Sequence, residues 1–227
     1  SDTLSDTDIR VLSTSFALPG LAQFVEPDRA GAAAASLIPV RVSRYTGEMP
    51  NADFRDRLLE CLGGDWPERC PLNVRERETI EGDGYSIRSI YYDAEPEDAI
   101  PAYLLIPEGV SGGKPAPAVA VWHQHAGQWH LGKSEPAGLD GNRMHHTGAA
   151  LAREGYVVLC PDALCFEERQ DPTGKLKAGA YERFEFLRYT VAGKCMAWKN
   201  ILDMRRAVDL LVSLPEVESE KIGCYGH

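Results

Sequence analysis

The stretch KIGCYGH, residues Lys221–His227, decides how the rest of this chain is interpreted. Its apolar residues lead into a Gly-His pair, which is the pattern of a buried strand that enters a tight turn. The usual composition of a chain terminus is polar and frayed, and this stretch has the opposite character. We therefore expect Lys221–His227 to be a strand of a sheet together with the beginning of the turn that follows it.

Strand and helix patterns alternate upstream of that stretch. Continuous apolar runs at 116–125 (APAVAVWHQH) and 156–163 (YVVLCPDA) are typical of strands that are buried on both faces. Apolar spacing predicts helices within 142–153 and over 191–215, whereas the charged and aromatic stretch 166–190 is predicted to be an irregular excursion with helical pieces. Alternation of this kind predicts a parallel sheet with crossover helices on its faces.

The residues before this alternation are predicted to form two parts, a pair of strands that extends the sheet and a helical segment that precedes it. From Glu78 onward, period-two alternation followed by AIPAYLLIPEG predicts two antiparallel strands, which would make the sheet mixed. The stretch NADFRDRLLECLGG, residues 51–64, has the spacing of a helix, with Asn51 as its N-cap and two glycines at its end. The predicted domains are a helical N-terminal extension, residues 1–75, and the first part of an α/β domain, residues 76–227.

Composition excludes several classes of partner. The chain has 24 Lys and Arg against 34 Asp and Glu, for a net charge of −10. Nucleic acids and anionic membrane surfaces are bound by basic segments, so we expect neither as a partner. No apolar run approaches the ~20 residues that a membrane span needs. The 6 cysteines have no short spacings, so we expect no disulfide framework and predict a cytoplasmic location.

Five stretches, in their order along the chain, resemble the α/β-hydrolase superfamily, and within it the branch of dienelactone hydrolases and acetyl-xylan-esterase-like enzymes. They cover roughly residue 78 to the end, and they are IPAYLLIPEG, PAVAVWHQHAGQ, LGKSEPAGL, LAREGYVVLCPDALCFEER and SEKIGCYGH. The resemblance implies the N-terminal part of an α/β-hydrolase fold, with a mixed, mostly parallel sheet, flanking helices and a helical N-terminal extension. It also makes Gly226 and His227 the first two positions of a G-x-S-x-G nucleophile elbow.

The activity implied by the resemblance is hydrolysis of carboxylic esters or lactones through an acyl-enzyme, without a cofactor. In the chain order of this family the serine, the acid and the histidine follow the elbow, so all three are expected beyond His227, the residue that precedes the nucleophile. A C-terminal segment of the same protein would then complete the sheet. Truncation, disorder or cleavage before the nucleophile would each account for the ending, and a homo-oligomer is left open.

Half of an oxyanion hole is expected within the chain. The resemblance places one backbone donor two residues beyond the strand-end His123, which makes it the N–H of His125. Such a donor stabilises the negative charge of the tetrahedral intermediate by about 3 kcal/mol. Gln124, in the same oxyanion loop, replaces the glycine that is usual in the family. Trp129 and Phe166 are the predicted substrate contacts.

Several other polar residues have two interpretations. The three histidines of residues 123–130 have a spacing that could serve a metal, but no nearby acidic cluster completes the ligand set, so we predict no metal site. Asp162 and the Glu167–Arg169 stretch are predicted to organise a loop, the latter through ion pairs rather than acid–base chemistry. Cys165 and Cys224 are considered as nucleophiles and rejected, and Cys224 is predicted to be buried in its strand and inert.

Two further classes of function stay open on the sequence. One is a non-catalytic binding or regulatory relative of the α/β-hydrolases. The residue after His227 would distinguish it, because Ser, Thr, Cys or Asp indicates an enzyme, whereas Gly or Ala indicates a pseudo-enzyme. The other is an acyltransferase or C–C hydrolase, since a fold does not fix its chemistry. A carboxylic-ester hydrolase is the function that we predict.

Overall fold

A computed structural model of the chain describes residues 52–226. Most of the predicted extension over 1–75, including the proposed cap Asn51, therefore lies outside the described residues, as does His227. The helix predicted within the extension is confirmed where it is described, as α1 (Ala52–Leu62). It ends at two glycines with φ of 117° and 94°, a left-handed backbone that side-chain-bearing residues rarely adopt.

Six strands form one sheet within the described residues. They are β1 (Arg75–Glu81), β2 (Tyr85–Glu95), β3 (Asp98–Pro107), β4 (Ala116–Trp122), β5 (Val157–Pro161) and β6 (Val217–Gly226). Their spatial order is β1-β2-β3-β5-β4-β6. Strands β1, β2, β3 and β5 pair antiparallel in succession, whereas β4 pairs parallel with both β5 and β6. The predicted mixed sheet with crossover connections is confirmed.

Three further α-helices follow β4. They are α2 (Thr147–Arg153), α3 (Gly179–Val191) and α4 (Met196–Ser213), with short 3-10 turns at Arg143–His145 and Glu167–Arg169. The long helix predicted over 191–215 corresponds to α4. Among the helices in the described part of the chain, none combines the length and the apolarity needed to cross a membrane.

Two local predictions differ from the structure in the first half of the chain. The alternating stretch that begins near Glu78 is divided into β1 and β2, because the chain turns at Gly82–Gly84, where the Gly82 N–H donates to the Tyr85 carbonyl at 2.8 Å. The helix predicted within 142–153 starts only at Thr147. Its first residues form a 3-10 turn instead, because the side chain of Asn142 caps that turn by accepting from the N–H of Met144.

The stretch 166–190, predicted to be irregular with helical pieces, contains such a piece as α3, a 13-residue helix whose length and bounds were not predicted. Its buried positions are Glu185 and Tyr189, whereas Phe184 and Phe186 are about half exposed. A polar residue on the buried face and aromatic residues on the exposed side cancel the apolar periodicity by which a helix is recognised. The composition of α3 therefore concealed its length and its bounds.

Two hydrophobic clusters lie on opposite faces of the sheet. On one face α4 packs through Ala207, Leu210 and Leu211 against strand residues such as Leu159. On the other face α2 packs through its alanines against a second set that includes Val158, the neighbour of Leu159 on β5. Consecutive residues of a strand point to opposite faces, so β5 contributes to both clusters and is buried along its whole length.

Gly148 permits the close approach of α2 to β5. A Cβ atom at this position would meet Cys160 Sγ at 2.7 Å and the Pro136 carbonyl oxygen at 2.8 Å. Overpacking costs about 1–3 kcal/mol, and alanine regains up to ~1 kcal/mol as a better helix former, so replacing Gly148 with alanine should lower the free energy of unfolding by up to about 2 kcal/mol. Urea unfolding monitored by circular dichroism measures the change.

Gly113→Ala is the matched control for that substitution. A Cβ atom on Gly113 would meet nothing within 4 Å. We expect this variant to lie within about 0.5 kcal/mol of the unmodified protein. Equal unfolding midpoints for the two variants would show that α2 has room to move away from β5.

Candidate functional site

The carboxyl ends of β4 and β6 are adjacent. Trp122, the last residue of β4, pairs with Gly226, the last residue of β6, in a parallel register. In α/β sheets ligands bind outside the carboxyl ends of parallel strands, so this edge is where a site is expected. The strand predicted from Lys221–His227 is confirmed as far as Gly226. His227 lies outside the described residues, and its role stays a prediction.

The loop after β4 turns sharply. Ala126 and Gly127 have positive φ angles of 36° and 69°. The carbonyl of His125 accepts a hydrogen bond from the N–H of Gln128 at 2.9 Å. Within residues 52–226 no acceptor is bonded to the backbone N–H of His125. That N–H is therefore a donor that no described protein group uses.

The ring of His125 connects this loop with α3. Its Nε2 atom lies 2.8 Å from Glu182 Oε1, and its Nδ1 atom lies 3.1 Å from the N–H of Gly127. The second oxygen of Glu182, Oε2, accepts a hydrogen bond from Trp129 Nε1 at 2.9 Å. One carboxylate thus contacts two side chains of the same loop.

His123 connects the end of β4 with the segment after β5. Its Nε2 atom accepts the N–H of Ala163 at 3.1 Å, and its Nδ1 atom lies 2.9 Å from the carbonyl oxygen of Gln124. Nε2 is therefore unprotonated, and the ring is neutral with its proton on Nδ1. The ring of Phe166 packs against both His123 and His125, with centroid distances of 4.7 Å and 5.1 Å.

The stability of the protein should depend on pH through His123. Burial lowers the pKa of this imidazole below its ordinary value of 6.5. A proton then binds the unfolded chain more readily than the folded one, so protonation favours unfolding. This contribution to the free energy of unfolding is present above pH 6.5 and is lost as the pH falls through the lowered pKa. Urea unfolding at a series of pH values from about 8 to 5 measures it.

Substitutions assign that pH dependence. In His123→Gln the decline below pH 6.5 should be smaller than in the unmodified protein, because the titrating group is gone. In His130→Gln, which changes an exposed imidazole, it should be unchanged. Identical slopes for the unmodified protein and His123→Gln would contradict the assignment.

The side chain of Gln124 is buried, with 4% of its surface exposed. Its Nε2 atom donates to Gln128 Oε1 at 3.0 Å and to Glu135 Oε2 at 2.9 Å. Glu135 in turn accepts the N–H of Asn142 on its other oxygen at 3.0 Å. The residue that replaces the usual glycine is therefore held in the protein interior by two side-chain bonds.

Lys133 is the cation of a buried ionic cluster beneath this edge of the sheet. Its Nζ atom lies 2.9 Å from Asp162 Oδ2, 2.6 Å from Glu167 Oε1 and 2.8 Å from Glu168 Oε1. Burial alone would lower the pKa of Lys133, but these carboxylates outweigh burial and raise the pKa well above its ordinary value. The ammonium group is therefore charged and fully partnered.

Loop organisation by Asp162 and Glu167–Arg169 is confirmed in this geometry. Asp162 Oδ1 accepts the backbone N–H of Lys133 at 2.7 Å, in addition to the ammonium contact. Arg169 extends the network towards α4, with NH1 at 2.8 Å from Asp203 Oδ2. The segment after β5 is thus bonded both to the loop that follows β4 and to α4.

The histidines of residues 123–130 do not form a metal-ligand group among the described residues. Within residues 52–226, the one group of side chains whose ligand atoms lie close enough to share a metal ion is Asp162, Glu167 and Glu168. Lys133 lies between these carboxylates and supplies the positive charge.

The remaining predicted residues have mixed outcomes. Trp129 is partly buried and Phe166 is 4% exposed, and their contact with a substrate stays a prediction. Cys224 is exposed, so its predicted burial is wrong. It lies on β6, the outermost strand of the described sheet, where no neighbouring strand covers it. Cys165 is buried, and burial together with nearby glutamates raises its pKa to about 12, which keeps the thiol protonated.

Sequence reasoning missed Lys133, Glu135 and Glu182 as members of the site. Lys133 and Glu135 belong to the stretch LGKSEPAGL, so a role could have been suspected from the resemblance alone. No sequence signal marks Glu182, which is 57 residues from His125 and lies on α3, a helix whose bounds were not predicted.

Comparison with known proteins gives one clear sequence match. No family model matches the chain. Over 176 residues it is 31% identical to "Putative hydrolase YtaP" from Bacillus subtilis (strain 168), a match that covers 77% of this chain and 55% of that protein. The chain thus spans about half the length of the curated relative that it matches.

Comparison of structures identifies the fold. The described structure is similar to the crystal structure of a "putative acetyl xylan esterase" from Bacteroides fragilis NCTC 9343, with a TM-score of 0.61 and 14% sequence identity. The similarity covers 75% of this chain and 45% of the other. The predicted α/β-hydrolase-type fold is therefore confirmed for the described sheet and its flanking helices.

Proposed function

We propose that this chain supplies the central strands and the oxyanion loop of a hydrolase that acts on carboxylic esters. The observation that carries the proposal is the unused N–H of His125 at the carboxyl end of β4, next to the carboxyl end of β6. A fixed backbone donor at this edge is what the transition state of acyl transfer requires. The sequence match to a protein described as a hydrolase supports the same class of reaction.

The finer part of the proposal is a serine mechanism. A serine hydroxyl attacks the ester carbonyl as the histidine expected beyond His227 takes its proton, and the carbonyl oxygen becomes an oxyanion that the N–H of His125 stabilises. The same histidine returns the proton to the departing alcohol. The intermediate collapses to an acyl-enzyme as the alcohol leaves, and water then releases the acid. The serine would follow His227 after the end of β6. The pairing of Trp122 with Gly226 puts the ends of β4 and β6 side by side, which supports a serine next to the oxyanion loop.

Two histidines have different tasks in this proposal. His125 offers its backbone N–H, whereas His123 acts through its ring, which ties the strand end to Ala163. His123 is neutral and already bonded on both nitrogens, so it is not free to shuttle a proton. Trp129 and Phe166 are proposed to border the acyl group. The acetyl ester named for the structural neighbour suggests that short acyl groups are the first to test.

Hydrolysis of p-nitrophenyl acetate combined with fluorophosphonate labelling tests the proposal, on the full-length protein that includes the segment expected after His227. A nucleophilic serine would displace fluoride from the probe, and labelling would abolish hydrolysis in proportion to the fraction labelled. Peptide mapping should place the label on the residue that follows His227. A well-folded protein that shows no hydrolysis and no labelling would overturn the proposal and favour a non-catalytic relative. Hydrolysis without labelling would overturn the serine mechanism.

A further inference from the structure

Glu182 of α3 bonds two residues on either side of the turn in the loop after β4. Its Oε1 atom meets His125 Nε2 at 2.8 Å, and its Oε2 atom accepts from Trp129 Nε1 at 2.9 Å. The two loop residues are four apart in sequence, and the turn between them contains Ala126 and Gly127. The carboxylate therefore closes a bridge across the turn that follows the proposed oxyanion donor.

The hydrogen bonds fix the tautomer of His125. Its Nδ1 atom accepts the N–H of Gly127, so Nδ1 carries no proton. Nε2 must then be the protonated nitrogen, and it donates to Glu182. The ring thus joins the turn on one side to the carboxylate on the other. Any change at Glu182 reaches the backbone of the loop through this ring.

The loop depends on such bonds because one of its residues has an energetically unfavourable backbone conformation. Ala126 has φ of 36°, a left-handed conformation that an alanine seldom adopts. Conformations of this kind persist only where surrounding contacts hold them. The pair between His125 and Glu182 is largely solvent-exposed, with 53% of the histidine side chain accessible, so it contributes little to folding. We expect the pair to act by orienting the loop.

We propose that Glu182 is a positioning residue that holds the backbone N–H of His125 in place for the oxyanion, by bonding His125 and Trp129 together. The inference rests on the proposed esterase function and adds to it a residue on a separate helix. Removing the carboxylate leaves the N–H present but lets the turn relax. Small displacements of a positioned group are enough to slow an enzyme about 10²-fold.

Kinetics of Glu182→Gln on p-nitrophenyl acetate test the inference, with every variant made in the full-length protein that includes the segment expected after His227. We expect kcat to fall about 10- to 100-fold, with KM changed by less than about threefold, because an oxyanion donor acts in the transition state and not on the bound substrate. Trp129→Phe keeps the ring but removes the N–H donor, so kcat should fall less. Adding Trp129→Phe to Glu182→Gln should cost little more, since the shared bond is already lost.

Glu60→Gln is the matched control, because it makes the same chemical change at an exposed position on α1. It should retain full activity. Thermal melts of all variants should agree within a few degrees, which separates loss of positioning from loss of fold.

The tautomer gives a readout independent of turnover. A long-range ¹H–¹⁵N spectrum recorded at about pH 8 should show His125 protonated on Nε2, with its signal assigned by its loss in His125→Asn. In Glu182→Gln the Nδ1-protonated form should become populated. A spectrum unchanged by Glu182→Gln would overturn the inference.

The outcomes separate this inference from the function it rests on. An active unmodified protein whose kcat is unaffected by Glu182→Gln overturns the positioning role alone. An unmodified protein that is folded but inactive on the ester overturns the proposed function, and the positioning role with it. A fall in kcat at nearly unchanged KM, together with the change of tautomer in Glu182→Gln, supports the positioning role and the proposed function.

Discussion

Replacing His125 with proline should lower kcat/KM for p-nitrophenyl acetate by at least about 10²- to 10³-fold. Proline has no backbone N–H, so the substitution deletes the proposed oxyanion donor itself. Residue 125 has no positive φ, so its backbone does not exclude proline on that ground. No described hydrogen bond is donated by its N–H, so the substitution breaks no described backbone bond. Steady-state hydrolysis under conditions where the unmodified protein is fully folded measures the effect.

His125→Ala separates the backbone donor from the imidazole. This variant keeps the N–H and loses the ring that bonds Glu182 and the Gly127 N–H. We expect its activity to exceed that of His125→Pro by at least about tenfold, because a donor that is loosely held is better than none. Equal activities in the two variants would show that the N–H of residue 125 takes no part in the reaction.

Replacing Lys133 with methionine should be the most destabilising single change in the described residues that we consider. It leaves Asp162, Glu167 and Glu168 close together without their cation, and Lys133 itself is fully buried. Removing one partner from a buried ionic cluster costs about 3–5 kcal/mol. For a domain of this size, 1 kcal/mol corresponds to about 2–4 °C, so Tm should fall by roughly 6–20 °C. Differential scanning calorimetry measures it.

Two further variants make that result interpretable. Lys177→Met makes the same change at an exposed position and should leave Tm within a few degrees of the original. Adding Asp162→Asn to Lys133→Met removes one uncompensated carboxylate and should recover part of the lost stability. A Lys133→Met protein as stable as the Lys177→Met control would mean that the carboxylates are neutralised in another way.

The elements predicted well from sequence are those whose signal is local. The runs that became β4 and β5 are apolar throughout because both faces of each strand are covered, and α4 carries a regular apolar stripe. The end of β6 was located because glycine and apolar residues mark a strand that enters a turn. These patterns depend on burial of the segment itself and need no knowledge of its neighbours.

The site residues that were missed depend on partners far away in the chain. Lys133 is a buried cation only because carboxylates 29 and 34 residues further along converge on it. Glu185 occupies the buried side of α3 and pairs with Arg188, so the helix lacked the apolar residue that would have revealed it. The resemblance predicts the backbone N–H of His125 as a donor, whereas the carboxylate that its ring contacts belongs to α3, whose bounds were not predicted.

The position of β5 between β3 and β4 has a consequence for the order in which the protein folds. β1, β2 and β3 are joined by short turns and can pair early. β5 starts only at Val157 and must insert between β3 and β4, which are close to each other in sequence. Trp122 meets Gly226 only after α4 has formed a crossover. Contacts with long sequence separation form slowly. The edge that carries His125 is therefore completed in the last steps of folding, and we expect pulse-labelled hydrogen exchange to protect β2 before β4. A partly folded chain would therefore hold the paired strands β1, β2 and β3 before the carboxyl ends of β4 and β6 are brought together.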